Sequence, residues 1–130
     1  MILLDTSILI DALTGPRRSA AALRRALERG ERLVVPALVL FEWLRGPRLP
    51  EELAAQEALL PARSALPFGP VEAALAADLY RTLARPRGRE IDLAIAASAI
   101  LRDAPFWTLN PADFRDIPRL RLVPPEEAKG

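Results

Sequence analysis

Four acids in this chain stand where a folded protein would ordinarily place apolar residues or neutral caps: Asp5, Glu42, Asp92 and Asp113. Asp5 ends the apolar run Ile2-Leu3-Leu4, and Glu42 is the only polar residue within residues 37–44. Asp92 is the only charge within residues 91–101, and Asp113 follows Thr108-Leu109-Asn110-Pro111-Ala112. Carboxylates brought together repel one another, their pKa values rise, and a divalent cation relieves the strain. An all-oxygen donor set calls for magnesium, with manganese as a substitute, and not zinc. A magnesium ion held by a few carboxylates and a substrate phosphate supports in-line hydrolysis of a phosphodiester with no side-chain nucleophile. That chemistry suits a chain with no histidine and no cysteine, a composition that excludes Ser-His-Asp and Cys-His catalysis, thiolate metal sites and a disulfide framework.

Each acid also has a purely structural reading. Asp5 can cap a helix, helped by Thr6 and Ser7. Glu42 can pair with an arginine or face solvent. Asp92 falls in a first helical turn, where the macrodipole favours a carboxylate, and Asp113 can serve a capping box opened by Asn110. The four positions are nevertheless related. Asp5 and Asp113 each follow a strand, Asp92 opens the helix feeding the strand before Asp113, and Glu42 lies in the helix after the second strand. In a parallel sheet all four can reach the edge beyond the strands' carboxyl ends, where open α/β sheets bind ligands.

The elements that must position them follow from pattern. Residues 2–4, 33–35, 106–109 and 120–123 read as buried strands, with a further short one at residues 66–68. Helices are expected over residues 8–13, 19–28, 71–83 and 91–101, from Pro36 as first helical residue to residue 44 or 45, and over residues 51–60; Asn110-Pro111 opens one more turn. Residues 85–89 form a basic loop. Short strands alternating with helices predict an α/β fold: a three-layer α/β/α sandwich around a central parallel sheet. The chain of 130 residues reads as a single domain, residues 1–130, with a loose tail after about residue 124.

Composition adds a partner expectation. The net charge is only +1, but setting the four acids aside leaves 13 acidic against 18 basic residues, an excess of five positive charges around them. Every basic residue except Lys129 is arginine, clustered at residues 17–32, 81–89 and 115–121. An acidic metal centre ringed by arginines suits a nucleic-acid backbone; a solvated charged surface is the plainer reading of any one cluster. The amino terminus lacks a signal-peptide pattern and no apolar run is long enough to span a bilayer, so the cytoplasm is the expected location. The apolar residues Trp43, Leu49, Leu53, Leu59, Leu60, Leu66 and Phe68 are expected to include a surface that a partner covers.

Leu3-Leu4-Asp5-Thr6-Ser7, Leu40-Phe41-Glu42-Trp43 ahead of Gly46, residues 91–97 (Ile-Asp-Leu-Ala-Ile-Ala-Ala) and residues 108–114 (Thr-Leu-Asn-Pro-Ala-Asp-Phe) occur in that order. The chain thereby resembles the PIN-domain family, and within it the single-domain VapC-type toxins, over nearly its whole length. The resemblance implies Mg²⁺-dependent RNA cleavage, a homodimer and an antitoxin of the VapB kind. It carries metal-site roles onto Asp5, Glu42, Asp92 and Asp113, with Thr6, Ser7, Thr108 and Asn110 as supporting polar groups. Two departures stand out: Leu109 replaces a frequent basic residue, and Pro36-Ala37 replaces a frequent hydroxyl residue ahead of the glutamate helix. A haloacid-dehalogenase-like phosphatase also needs an acid two residues after the first Asp, where Ser7 stands, and a lysine outside the tail. A PIN-like module that binds RNA or protein without cutting is the alternative.

Overall fold

The computed structural model describes residues 1–124, so the tail expected to be loose lies outside the described residues. β1 (Ile2–Leu4) is buried at every position. Successive strand side chains point to opposite faces, so the sheet is covered on both sides, as the sandwich expectation requires. β1 is the central strand, paired in parallel with β2 (Leu33–Val34) on one side and β3 (Phe106–Trp107) on the other. The β1–β3 register, Leu3 opposite Phe106 and Leu4 opposite Trp107, brings Asp5 and Thr108 side by side at the carboxyl ends. The Asp5 backbone N–H donates to the Trp107 carbonyl at 2.9 Å and fixes that juxtaposition.

Two expected strands shrink to single bridges. Residues 66–68 contribute only Leu66, paired with Pro36, and residues 120–123 contribute only Leu122, paired with Phe106. Proline explains both. Pro36 and Pro67 lack N–H groups, so the Leu66 segment is limited to the bonds Leu66 N–H to Val35 O and Ala37 N–H to Leu66 O. On the other edge Val123 donates to Phe106 O, and Pro124 follows with no donor.

The helices are α1 (Thr6–Leu13), α2 (Ala20–Glu28), α3 (Ala37–Arg45), α4 (Pro50–Leu59), α5 (Pro70–Thr82) and α6 (Glu90–Leu101), with 3₁₀ turns at Ala62–Ser64 and Pro111–Asp113. Pro36 sits one residue earlier than expected, as the extended N-cap of α3. Glu52 and Glu72 reach back to the Leu49 and Gly69 N–H groups at 2.8 and 3.1 Å, so the proline-initiated helices α4 and α5 have an orphan donor satisfied. Gly30, at φ +87°, ends α2 as its position predicts. α6 is buried continuously from Leu93 to Ala99. Its alanines allow close approach to α5, and Arg102 donates across to Glu72 at 3.2 Å.

One expectation fails in α3. Its apolar composition predicts a largely buried helix, but only Val39 and Trp43 are buried, while Phe41 and Leu44 are 50% and 52% exposed. Val39 and Trp43 are four residues apart and form one core stripe; Phe41 and Leu44 lie off it. Of the apolar residues assigned to a partner surface, Trp43 and Leu60 belong to the core, and Leu49, Leu53 and Phe68 are exposed.

Trp43 anchors the helix that carries Glu42. Its ring is fully buried, the Arg48 guanidinium stacks 4.1 Å above it, and Arg48 Nε donates to its carbonyl at 2.9 Å. Trp43→Ala should cost about 3–5 kcal/mol in urea denaturation. Because the Trp43 indole N–H has no acceptor among the described residues, Trp43→Phe forfeits no hydrogen bond and should cost clearly less. Equal losses from both variants would contradict this packing account.

Candidate metal centre

Asp5 is only 5% exposed, yet its carboxylate is well supplied with donors. Oδ1 accepts the Thr6 N–H at 2.9 Å, and Oδ2 accepts the Thr108 hydroxyl at 2.7 Å and the Ser7 hydroxyl at 3.1 Å. Thr108 Oγ1 and Ser7 Oγ in turn accept the N–H groups of Asn110 and Leu109, both at 3.0 Å. This collar joins the ends of β1 and β3 and aims the carboxylate. A carboxylate offers about four lone-pair sites; three are taken, and one remains for a further ligand.

Thr6 also connects the second acid. Its hydroxyl donates to Glu42 Oε1 at 2.6 Å, so one residue binds Asp5 through its backbone and Glu42 through its side chain. The Glu42 side chain is 19% exposed and lies 3.4 Å from Arg45, the arginine partner that its structural reading allowed. Such an exposed, one-turn pair contributes little, and Arg45 also leans over Phe41.

Asp92 has different surroundings. Among the described residues no donor reaches its carboxylate, which lies half-buried in the first turn of α6. Burial, followed by the negative charges of Asp5, Glu42 and Asp113, pushes its pKa up to about 6, against a pull from Arg89. All four acids therefore share one electrostatic neighbourhood. Burial also raises the Asp5 pKa, opposed by the hydroxyls and N–H of its collar and assisted by Glu42.

Asp113 is exposed, at the end of the 3₁₀ turn. The expected cap does not form: the Asn110 side chain makes no capping hydrogen bond, and Asn110 contributes its backbone. Among the described residues no three acids are grouped at the spacing of a ready-made metal cage. The donor set nevertheless fits a hard divalent cation: every candidate ligand is an oxygen, the other three acids raise the proton affinity of Asp92, and Asp5 keeps a free lone pair.

Sequence reasoning missed Arg89 and Asp116 as a pair. Arg89 grips Asp116 with both terminal nitrogens, at 2.9 and 2.6 Å, and holds its pKa below the usual range. The signal was available: a cation at the N-terminus of α6 opposes the helix dipole and calls for an acidic partner.

The raised Asp92 pKa predicts a pH dependence without metal. The folded protein keeps this proton up to about pH 6, whereas the unfolded chain releases it near the ordinary value of 3.8. Folding stability therefore falls as pH rises through that window. Thermal melts in EDTA should show a lower Tm at about pH 7.5 than at about pH 5. Asp92→Asn should flatten the profile and raise the Tm at the higher pH. The same slope in parent and variant would remove Asp92 as its source.

Known proteins resemble this chain in sequence and in fold. Ribonuclease VapC19 of Mycobacterium tuberculosis is 36% identical over 126 residues, covering 93% of this chain and 98% of the relative. A toxin–antitoxin complex from Klebsiella pneumoniae contains a chain of similar fold, with TM-score 0.72, 25% identity and coverage of 96% and 98%. DNA-bound VapBC from Salmonella typhimurium gives TM-score 0.77 at 23% identity, with coverage of 94% and 96%. The PIN-domain family pattern matches residues 2–120. On that match and the VapC19 likeness, the chain belongs to the PIN-domain family.

Proposed function

We propose that this chain is a Mg²⁺-dependent endoribonuclease, with Mn²⁺ as a working substitute, and the toxin of a type II toxin–antitoxin pair. The observation that carries the reading is the electrostatic coupling of Asp92 to Asp5, Glu42 and Asp113 at the carboxyl edge of a parallel sheet. The likeness to a named ribonuclease over nearly the full length of both chains supports the substrate class. Resemblance to chains of toxin–antitoxin complexes supports a VapB-like partner. A homodimer and a cytoplasmic location complete the proposal; among the described residues no helix is long and apolar enough to cross a membrane.

In this reading Asp5 is the fixed ligand, because its collar leaves it little rotational freedom. Thr6 holds Glu42 toward the same centre, and Asp92 and Asp113 complete the acidic set. Bound Mg²⁺ would supply charge neutralisation at the scissile phosphate and activation of the attacking water. Thr6, Ser7 and Thr108 orient acids and take no part as nucleophiles. Arg85 and Arg87 are exposed, make no ion pair among the described residues, and adjoin the site through the Arg85 carbonyl, which accepts from Arg89 at 3.1 Å. They are suited to the RNA backbone.

Cleavage of a fluorescent RNA should require Mg²⁺ or Mn²⁺, stop on addition of EDTA, and fall at least about 100-fold in Asp5→Asn and Asp92→Asn. Folded variants that cleave at the parent rate would make these acids structural. Expression should arrest growth, with relief by the neighbouring gene and by Asp5→Asn. A chain that binds RNA without cutting it in any metal would instead be the non-catalytic module. Replacing Arg85 and Arg87 by alanine should lower RNA affinity and reduce the salt slope of log K by about 1.4. An unchanged slope would exclude this loop from the RNA path.

A further inference from the structure

Arg89 occupies the junction between the two segments that carry Asp92 and Asp113. As the residue preceding α6, it accepts the Leu93 N–H on its carbonyl at 2.8 Å and donates its own N–H to Pro86 O at 3.0 Å. Gly88 precedes it at φ +79°, a conformation that side chains rarely adopt, so the loop is shaped to deliver Arg89 there.

The guanidinium uses every terminal hydrogen. Nη1 donates to Asp116 Oδ2 at 2.9 Å and to Arg85 O at 3.1 Å. Nη2 donates to Asp116 Oδ1 at 2.6 Å and to the backbone carbonyl of Asp113 at 2.9 Å. The side chain is 19% exposed, although it belongs to a loop of otherwise exposed arginines. A phosphate would find no free terminal N–H on it. Charge-assisted forked bonds of this kind are directional as well as strong, and these span 24 and 27 residues of sequence.

We propose that Arg89, locked by Asp116, is a positioning residue that staples the Asp113 segment to the N-terminus of α6 and thereby sets the spacing of the Asp92 and Asp113 carboxylates for a divalent cation. The inference rests on the metal-dependent nuclease reading and deepens it. It assigns Arg89 to the metal site's support and Arg85 and Arg87 to the substrate path. Residues that orient metal ligands from outside the coordination sphere typically alter affinity about 10–100-fold when removed.

The test measures Mn²⁺ binding by titration calorimetry on the purified full chain, with metal-free melts and RNA kinetics in parallel. Arg89→Ala and Asp116→Ala should each weaken Mn²⁺ binding about tenfold and raise the Mn²⁺ needed for half-maximal cleavage equally. KM for RNA at saturating Mn²⁺ should stay within about twofold of the parent. Arg89→Lys should fail to restore metal affinity, because an ammonium keeps the charge but not the fork. Should Arg89→Ala not fold, Asp116→Ala carries the test, since the Asp116 side chain is 50% exposed and its truncation leaves no cavity. Unchanged Mn²⁺ affinity in folded Asp116→Ala, or a raised KM with unchanged metal affinity, overturns the positioning role while leaving the nuclease standing. A parent that neither binds Mn²⁺ nor cleaves RNA overturns both.

Discussion

Bringing acidic side chains together against a low-dielectric sheet edge is unfavourable, and much of this fold is arranged around that repulsion. Asp5 tolerates near-complete burial because three donors converge on it, two of them hydroxyls whose own oxygens accept backbone N–H groups. Hydrogen bonds to a charged group are among the stronger stabilising interactions, and here they depend on β1–β3 pairing. Moving Thr108 by one residue would turn its side chain to the opposite face and leave Asp5 without its shortest contact. The parallel register is thus as much a constraint of the acidic cluster as of the core.

Asp5 and Asp92 divide the problem in opposite ways. Asp5 is more deeply buried but collared; Asp92 is half-buried with no donor among the described residues, and it carries the pKa pushed to about 6. In the proposed metal site the first is oriented before a cation binds, and the second responds to its charge. A site assembled from four acids of the Asp92 kind would be costly to fold, and one of four collared acids would have few lone pairs left to offer.

Much of the architecture was legible in the chain. The order of strands and helices followed from apolar periodicity bounded by glycine and proline, and the four acids were recognisable as charges inside apolar context. What local pattern could not supply was contact between distant segments. Thr6 and Ser7 could be named as helpers from adjacency to Asp5; Thr108 entered only through the family resemblance, because its link to Asp5 crosses 103 residues and exists only through sheet pairing. The Arg89–Asp116 pair was half legible: the dipole of α6 called for an acid beside Arg89, but nothing local pointed to Asp116, 27 residues on. The α3 error has a different origin: apolarity records which residues avoid water, not whether this chain's own core covers them, and Phe41 and Leu44 are left about half exposed.

The proline-limited edges of the sheet have a consequence for assembly. Open strand edges are templates for another chain to pair with, and proteins blunt them with proline or very short edge strands. Here each margin is closed by a single bridged residue, Leu66 or Leu122, with Pro67 or Pro124 close by. Among the described residues neither offers a continuous row of donors and acceptors, so both edges are poor templates for β-augmentation. Edges of this kind leave recognition to side chains, which favours selectivity over stickiness and guards the fold against cross-β aggregation.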